Sequence, residues 1–432
     1  MYHDHRVRQR RVLVGVGLTA ILSALAARGA TPTSGWPQWG GINRDFRVQA
    51  TGLADHWPVG GPKRLWSRPL GEGYAAIVSD GTTLFTMYRK GDNETVVALR
   101  GETGTTAWEH VYSAPTYDKQ TADFGEGPQA TPLLFGDKLL TVGFTGILHC
   151  LDAKTGKPLW SHDLVKQFDG KIQYYGYANS PIAHDGSIIV LVGGKDHGVI
   201  AFDPDDGTPV WKSRPYDISY AAPVLINVDG QDQLVFFSTK EVIGLDPTNG
   251  THLWSHKVIN FCRTNCTQAV WGKDNLLWAA TKGVGGTRVV RLSQKAGKTS
   301  VEEVWLNRKV KLYHWNAIRV GDYVYTSIGD SSKFLTAVDV RTGKVQRRLR
   351  GYGATNGIYA DGKLILLDDD GTLILGNVDE GKIEINATAQ ILDSLTWTVP
   401  TLIDTTLFVR DRTNVMAFDL GEPTAKKVAH GS

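Results

Sequence analysis

A chain of 432 residues with 41% hydrophobic residues can bury a large core, and its length allows either several domains or one large repeat fold. The first 26 residues hold four Arg and one Asp, a surplus equal to the whole net charge of +3, so the remaining chain is close to neutral. Because binding to nucleic acid or to an anionic membrane requires a basic surface, the composition excludes both of these classes.

The N-terminus has the pattern of an export signal. Arginines precede an apolar run over residues 12–25, and Ala24-Leu25-Ala26 offers a small–x–small cleavage site. We therefore expect residues 1–26 to be a signal peptide and the mature protein to be periplasmic or secreted, with no membrane span. Export would use the Sec route or, through Arg10-Arg11, the twin-arginine route. The run is short for a membrane span, so an uncleaved N-terminal anchor is the less favoured alternative. No cysteine follows the run to carry a lipid.

A short phrase recurs along the chain: an apolar residue and Asp, a turn ending in Gly, and then Trp. It is clearest at Asp152–Trp160, Asp203–Trp211 and Asp246–Trp254. Asp accepts hydrogen bonds that close the turn, Gly supplies a positive φ, and Trp on the returning strand covers a neighbouring sheet. We therefore interpret each phrase as a hairpin and predict a structural role for its tryptophans, namely Trp66, Trp108, Trp160, Trp211, Trp254 and Trp305.

Eight such units follow one another at intervals of about 40 to 50 residues, which fits one four-stranded blade per unit. The last unit, around Phe418, has too little chain after it for a fourth strand, and Arg64–Ser67 has the pattern of that strand. The sequence thus predicts an all-β protein, an eight-bladed β-propeller of four-stranded antiparallel blades whose ring is closed by an N-terminal strand. The predicted segments are the signal peptide 1–26, an N-terminal segment 27–63, the propeller 64–420 and a C-terminal tail 421–432.

The repeat resembles the pyrroloquinoline-quinone (PQQ) repeat, the Trp-bearing propeller unit of quinoprotein dehydrogenases and of the outer-membrane assembly factor BamB. The opening Trp36–Asp45, followed by Gly61–Trp66 and Gly71–Tyr74, is similar to the first segment of exported PQQ-like propeller proteins. For a dehydrogenase, the resemblance implies a site that holds PQQ over a Ca²⁺ ion and beneath a disulfide between two adjacent cysteines. This chain has no adjacent Cys pair and no Cys-x-x-Cys-His haem motif. The resemblance therefore indicates the fold more strongly than an activity.

Two connections, residues 111–129 and 164–179, are longer than blade turns require and are rich in aromatic residues. Both join the outer strand of one blade to the inner strand of the next, so we expect them on the same face of the ring as a binding surface. The alternative is that they fill the channel or pack on each other. The candidate binding residues in them are Tyr117, Phe124, Glu126, Tyr175 and Tyr177.

Polar side chains begin several inner strands and are predicted to point toward the central channel: Asn179, Ser180, Tyr220, Thr267, Asn316, Asn356 and Thr398. One interpretation is that this ring binds a small polar ligand or a quinone. The sequence favours the other, that it holds ordered water at the strand ends. Trp315 and the neighbouring His314 belong to the same region. Because no carboxylate stands near His314 in sequence, packing is favoured there over a role as general base.

The three cysteines suggest structure more than chemistry. Cys150 lies in a predicted strand and should be buried and inert. Cys262 and Cys266 have the spacing of a local disulfide in an exported protein, and reduced thiols are equally consistent with that spacing. No further ligands stand near them for a metal site.

Taken together, the sequence favours an exported, monomeric, non-catalytic module of the bacterial cell envelope. It would bind a protein partner as an interaction or scaffold module and need no cofactor. The alternative is a PQQ-dependent oxidoreductase of the alcohol or sugar dehydrogenase type, with PQQ and calcium over the central channel. The sequence identifies neither the partner nor a substrate.

Overall fold

The computed structural model describes Met1 and residues 35–116, 125–259, 264–329 and 334–422. The predicted signal peptide apart from Met1, and most of the predicted C-terminal tail, lie outside these ranges. Within them the chain forms eight sheets. Six consist of four consecutive antiparallel strands. The seventh has a fifth strand, and the eighth its fourth strand, from the N-terminal region. The helical segments of the described ranges are the α-helix Leu164–Phe168 and two 3₁₀ turns, Lys273–Asn275 and Gly283–Gly285. The predicted all-β eight-bladed propeller is confirmed.

The strands are, in chain order, β1 Arg47–Val48, β2 Lys63–Pro69, β3 Val78–Ser79, β4 Thr83–Lys90, β5 Asn93–Arg100, β6 Thr106–Ser113, β7 Leu133–Phe135, β8 Lys138–Val142, β9 Ile147–Asp152, β10 Pro158–Asp163, β11 Ile182–His184, β12 Ser187–Leu191, β13 Val199–Phe202, β14 Pro209–Lys212, β15 Val224–Val228, β16 Gln231–Phe237, β17 Glu241–Leu245, β18 His252–Lys257, β19 Val270–Gly272, β20 Leu276–Ala280, β21 Thr287–Lys295, β22 Lys298–Asn307, β23 Ala317–Val320, β24 Tyr323–Ile328, β25 Phe334–Asp339, β26 Val345–Arg350, β27 Thr355–Ala360, β28 Lys363–Asp368, β29 Thr372–Asp379, β30 Lys382–Gln390, β31 Thr401–Ile403, β32 Thr406–Arg410 and β33 Asn414–Asp419. The first seven blades take four strands each from β3 to β30, and the eighth takes β31 to β33.

The eighth blade is completed by β2, which comes from near the start of the chain. β2 pairs antiparallel with β33, and Trp66 lies opposite Ala417 after a one-residue bulge. The same bulge precedes Trp160 in the second blade, where β10 pairs with β9. The predicted closure of the ring by the segment around Trp66 is therefore confirmed, and it leaves no open seam between the first and last blades.

The seams between blades explain the recurring phrase. The Trp108 ring of the first blade packs on Gly156 of the second, where a Cβ atom would overlap the ring. Gly156 also has a φ of 71°, a conformation that favours glycine. The Trp108 indole nitrogen donates a hydrogen bond of 3.0 Å to the carbonyl of Ala153 in the same turn. Asp152 closes that turn by accepting a 2.7 Å hydrogen bond from the Thr155 amide.

The same seam recurs around most of the ring. Trp66, Trp160, Trp211 and Trp305 each donate an indole hydrogen bond to a carbonyl in the turn of the following blade. Trp254 is the exception, because its indole nitrogen bonds the side chain of Gln233 within its own blade. The turn that follows it, at Gly297, lacks the Asp, and a Cβ atom placed on that glycine would meet no other residue within 4 Å apart from its chain neighbours. Five of the six tryptophans thus bond the turn of the following blade, whereas Trp254 bonds within its own blade; their structural role stays a prediction.

The centre of the ring holds the plug segment, Trp36–Val48, which the sequence did not place there. Trp36 forms a bridge with Ser79 on β3, and the carbonyl of Pro37 accepts a 2.8 Å hydrogen bond from Leu134 on β7. Farther along, β1 pairs in parallel with β27 of the seventh blade. Because β3, β7 and β27 are first strands of their blades, the plug segment lies in the central channel.

Candidate functional site

One face of the ring carries a cavity of about 490 Å³, which we call the cup. It lies where the first strands of the blades begin, and its wall is mostly aromatic. The lining residues are Trp39, Tyr74, Gln129, Tyr174, Tyr175, Ala178, Ser180, Tyr220, Ala222, Thr264, Cys266, Lys282, Tyr313, His314 and Trp397. Most come from the loops that enter the blades, whereas Trp39 comes from the plug segment and Lys282 from the connection between β20 and β21. Cavities of this size with aromatic walls and a few polar groups are typical of ligand sites.

The aromatic wall is held by contacts among its own members. On one side the ring of Trp397 stacks on Tyr74 at 5.4 Å between centroids and lies 4.7 Å from His314. On the other side the Tyr175 amide donates a 3.1 Å hydrogen bond to the Tyr220 hydroxyl, and Gln129 donates to the Tyr175 carbonyl at 2.6 Å. These contacts hold the wall in a defined shape before any ligand is bound.

The charge of the cup is simple. Lys282 is the one Lys or Arg among the described lining residues, and none of them is Asp or Glu. The Lys282 ammonium lies over the ring of Tyr313, with Nζ 3.4 Å from the ring centroid. Lys282 therefore places one positive charge in a mostly aromatic cup, and that charge attracts acidic groups and repels cationic ones.

Burial also changes the ionisation of the polar groups in the cup. Desolvation raises the pKa of Tyr220 well above its ordinary value, so its hydroxyl stays neutral. Desolvation raises the pKa of Cys266 to about 12, although the nearby Lys282 opposes that shift. A thiol with so high a pKa is protonated at neutral pH and is a weak nucleophile. Tyr220 and Cys266 therefore act as neutral hydrogen-bonding groups in the same cup as the Lys282 ammonium.

The structure places the predicted surface residues in three environments. Tyr175 and Tyr220 line the cup. Tyr177 is buried in the core of the second and third blades, and Trp315 is buried as well, so neither belongs to an accessible surface. Glu126 is half-buried and does not line the cup. Tyr117, Phe124 and Cys262 lie outside the described residues, so their roles and the Cys262–Cys266 disulfide stay predictions; Cys266 is described with a free thiol.

The predicted ring of polar residues connects neighbouring blades. The Asn179 amide donates to the carbonyls of Ser219 and Ala221 at 2.8 and 2.9 Å. Asn316 donates to the carbonyl of Gly357 at 2.8 Å and accepts from its amide at 2.9 Å. We expected water or a ligand at these strand ends, but groups of the next blade bind there, because adjacent inner strands approach closely around the axis.

The remaining members of this ring act in the same way. Thr267 donates to the carbonyl of Trp315, Asn356 to that of Trp397 and Thr398 to that of Tyr74. Ser180 lines the cup, yet its hydroxyl also accepts a hydrogen bond from the Thr131 amide. The polar ring thus connects neighbouring blades around the axis, and only Ser180 and Tyr220 of its members also line the cup.

Sequence reasoning did not single out several residues of the cup, notably Trp39, Tyr74, Lys282 and Trp397. Each lies in a loop or segment that looks unremarkable in its own repeat, and only closure of the ring brings them together. A usable signal was available for Trp39 and Tyr74, because both lie in the segments Trp36–Asp45 and Gly71–Tyr74 that resemble the first segment of PQQ-like propeller proteins.

The cup does not fit the Ca²⁺–quinone site that the PQQ-repeat resemblance implies. Calcium takes six to eight oxygen ligands, largely from carboxylates. The described lining residues include no carboxylate. Across the described ranges, no group of three or more His, Cys, Asp or Glu is placed to hold a metal ion. We therefore derive no chemistry through such a group.

The described residues contain no helix that is both long and apolar enough to cross a membrane.

Curated sequences similar to this chain include two kinds of protein. Outer membrane protein assembly factor BamB of Burkholderia pseudomallei is 31% identical over 131 residues, 29% of this chain and 30% of that protein. The 1-butanol dehydrogenase (cytochrome c) of Thauera butanivorans is 29% identical over 119 residues, 26% of this chain and 16% of that protein. The matches thus span less than a third of each relative.

Solved structures show the same two groups. The quinohemoprotein alcohol dehydrogenase of Comamonas testosteroni aligns with a TM-score of 0.64 at 13% identity, over 92% of this chain and 82% of that one. BamB of Moraxella catarrhalis aligns with a TM-score of 0.57 at 17% identity, over 85% and 99%. At these identities the alignments support the fold alone.

A family model described as outer membrane protein assembly factor BamB matches residues 92–349, which is more than half of the chain. The match begins in the first blade and ends in the sixth, so it covers the repeats whose seams are described above. The chain therefore belongs to this family of PQQ-repeat β-propeller proteins.

Proposed function

We propose that this protein is an exported, non-catalytic module of the bacterial cell envelope and that the cup is the surface on which it receives a protein partner. The observation that carries the proposal is the composition of the cup: a preformed aromatic wall, one lysine, and no acidic side chain among its described lining residues. Desolvated aromatic clusters contribute most of the affinity at protein interfaces.

The chemistry of the cup indicates which part of a partner it would accept. Tyr174 at the rim is 59% exposed, whereas Tyr175 and Trp397 lie deeper. An apolar or aromatic side chain would bury its surface against these rings. An acidic group on the same partner segment would be attracted to Lys282, and a basic group would be repelled. We therefore expect a loop or terminus that combines an aromatic residue with a carboxylate.

An envelope location is supported by two observations. The N-terminal sequence has the pattern of an export signal. The relatives include a protein named for outer membrane protein assembly. The partner would then be another envelope protein, and a monomeric propeller with one cup would bind one copy of it.

The competing function is a PQQ-dependent oxidoreductase. What favours it is the similarity to alcohol dehydrogenases, in sequence over part of the chain and in fold over most of it. What weighs against it is the lining of the cup, whose described residues offer aromatic faces to a quinone but no carboxylate to a Ca²⁺ ion. A propeller fold by itself does not imply either function.

Two measurements test the proposal. In the first, envelope proteins are captured on wild-type protein, on Tyr175→Ala, and on Val210→Ala as a control, since Val210 is exposed on β14 away from the cup. The proposal predicts one protein that wild type and the control retain and that Tyr175→Ala loses at least fivefold. Equal capture by all three would contradict it.

The second measurement addresses chemistry. The purified protein is incubated with PQQ and Ca²⁺, and quinone absorbance and dye reduction are followed with alcohols and sugars. The proposal predicts no bound quinone after desalting and no dye reduction. Turnover that requires PQQ, and that Tyr175→Ala abolishes, would favour the oxidoreductase instead.

A further inference from the structure

We propose that the plug segment is part of the binding cup, that Trp39 forms its floor, and that Arg44, which does not line the cup, is the positioning residue that holds Trp39 there. That this floor serves binding rests on the proposed function. The position of the segment in the channel does not, and it can be tested without any ligand.

The plug segment is anchored to most of the ring through single, specific contacts. Arg44 donates hydrogen bonds to the carbonyls of Pro181 and Pro223, at 2.6 and 3.2 Å, just before the first strands of the third and fourth blades. Gln268, before the first strand of the fifth blade, donates to the Arg44 carbonyl at 2.6 Å. One residue thus ties three consecutive blades to the segment.

Arg44 is buried, with 4% of its surface exposed, and the groups that its side chain contacts are neutral. Its remaining side-chain hydrogen bond, from Nε, goes to the side-chain oxygen of Gln38 at 2.9 Å. Desolvation lowers the pKa of Arg44 to about 9, which still leaves the guanidinium charged at neutral pH. A buried cation held by neutral acceptors depends on all of them, because charge-assisted bonds to a desolvated ion are strong and costly to lose.

The backbone of the segment is held in an unusual conformation. Arg44 and Phe46 have φ values of 55° and 60°, in a region that bulky side chains rarely occupy. The Phe46 amide donates back to the carbonyl of Gly40 at 3.0 Å, and its ring meets that of Trp39 edge-on at 5.4 Å. Strain of this kind persists where the surroundings fix a conformation for a purpose. Here the result is a compact loop that presents Trp39 to the cup.

The segment also divides the channel. Trp39 lines the cup, while Asn43, Arg44, Asp45 and Phe46 line a second cavity of about 220 Å³. The second cavity is bounded by β15 and β19 and does not share a lining residue with the cup. The plug segment therefore stands between the two cavities, and without it the cup would have no floor.

The first test measures whether Arg44 holds the segment. Two amides on the ring report its position, because Leu134 donates to the Pro37 carbonyl and Tyr359 to the Phe46 carbonyl, both at 2.8 Å. In the full chain, Arg44→Met should reduce hydrogen-exchange protection of these amides at least tenfold. Arg319→Met is the matched control, since Arg319 is also buried on carbonyl acceptors but lies in the sixth blade. Unchanged protection in Arg44→Met, or equal loss in the control, would overturn the proposal.

The second test measures whether the segment is the floor of the cup. The readout is the alkylation rate of Cys266, which lines the cup, with the buried Cys150 as the reference thiol. Trypsin cleavage after Arg263 separates Cys266 from Cys262, so mass spectrometry can follow each thiol separately under mild reductant. Arg44→Met should raise the rate at Cys266 at least fivefold and leave Cys150 unchanged.

Trp39→Ala separates the two roles. It should raise the Cys266 alkylation rate while the protection of Leu134 and Tyr359 stays as in wild type. If the Cys266 rate does not change when exchange shows that the segment has left, the segment is not the floor and the proposal is wrong. The capture experiment on Tyr175→Ala can fail while both of these readouts succeed, so failure of the proposed function is distinguishable from failure of this inference.

Discussion

The outer seams of the propeller and its centre are built on opposite principles. At the seams one contact is repeated, with a tryptophan of one blade on the glycine turn of the next and an indole hydrogen bond between them. At the centre the plug segment contacts different blades in different ways, as in the Trp36 bridge to Ser79 and the parallel pairing of β1 with β27. The seams fix the number and spacing of the blades. The centre differs from blade to blade.

The largest expected effect comes from opening a seam. Trp108→Ala removes a ring that packs on Gly156 and an indole hydrogen bond, so we expect a loss of about 3 to 4 kcal/mol in the free energy of unfolding. Tyr174→Ala, at the exposed rim of the cup, should change it by less than about 0.5 kcal/mol. Denaturant unfolding of both variants measures the comparison, and similar losses would show that the seams are not the main source of stability.

A buried histidine makes one seam sensitive to acid. His149 on β9 packs against Tyr112 and His110 of the first blade, with ring centroids 4.4 and 5.1 Å away. Burial, and then the nearby His110, lower the pKa of His149 to about 4. The unfolded chain takes up this proton near pH 6.5, so stability should fall as the pH drops from about 7 to 4 and then level off.

The expected loss over that window is roughly 2 to 3 kcal/mol, from about 1.4 kcal/mol for each unit of pKa difference. His149→Gln removes the titrating group, so the variant should lose less stability than wild type between pH 7 and pH 4. The measurement is the unfolding midpoint as a function of pH for both proteins. Parallel curves would mean that His149 is not the source.

Two glycines test whether the seam or the turn requires glycine. Gly156 and Gly297 have φ values of 71° and 77°, but only Gly156 lies under a tryptophan. Gly297→Ala should cost about 1 kcal/mol, the usual cost of a left-handed residue. Gly156→Ala should cost at least about 2 kcal/mol, because Trp108 must also move. Equal unfolding midpoints for the two variants would show that packing against Trp108 is not the reason that position 156 requires glycine.

The smallest effect concerns the charge of the cup. Lys282→Gln keeps the length of the side chain approximately and removes its charge, so binding of an acidic partner segment should weaken by a factor of about five, as for a partly exposed ion pair. Lys309→Gln is a control on an exposed lysine outside the cup. The dissociation constant is to be measured at low and high salt, and the difference between the variants should shrink as salt rises. Equal dissociation constants for wild type and Lys282→Gln would show that the partner does not bind through an acidic group at Lys282.

The same contrast explains how far the sequence could be interpreted. Repetition made the eight blades and the closing strand at Trp66 predictable, because one local pattern is enough to define a hairpin. The cup combines residues such as Tyr74 and Trp397, which are 323 positions apart in the chain, so no local pattern connects them. Tyr175 and Tyr220 were predicted because they lie in a long aromatic loop and at a strand start. Asn179 and Asn316 were assigned to the channel, but inter-blade bonding could be seen only once the distance between adjacent blades was known.

The most direct test of the central claim is photo-crosslinking from the rim of the cup. A photoreactive aromatic amino acid is placed at Tyr174 and, as a control, at Val210 on the outer strand of the third blade. We predict one discrete crosslinked envelope protein from position 174, its loss in a Lys282→Glu background, and no such product from position 210. Absence of a product at 174, or the same product from both positions, would contradict the assignment of the cup as the partner-binding surface.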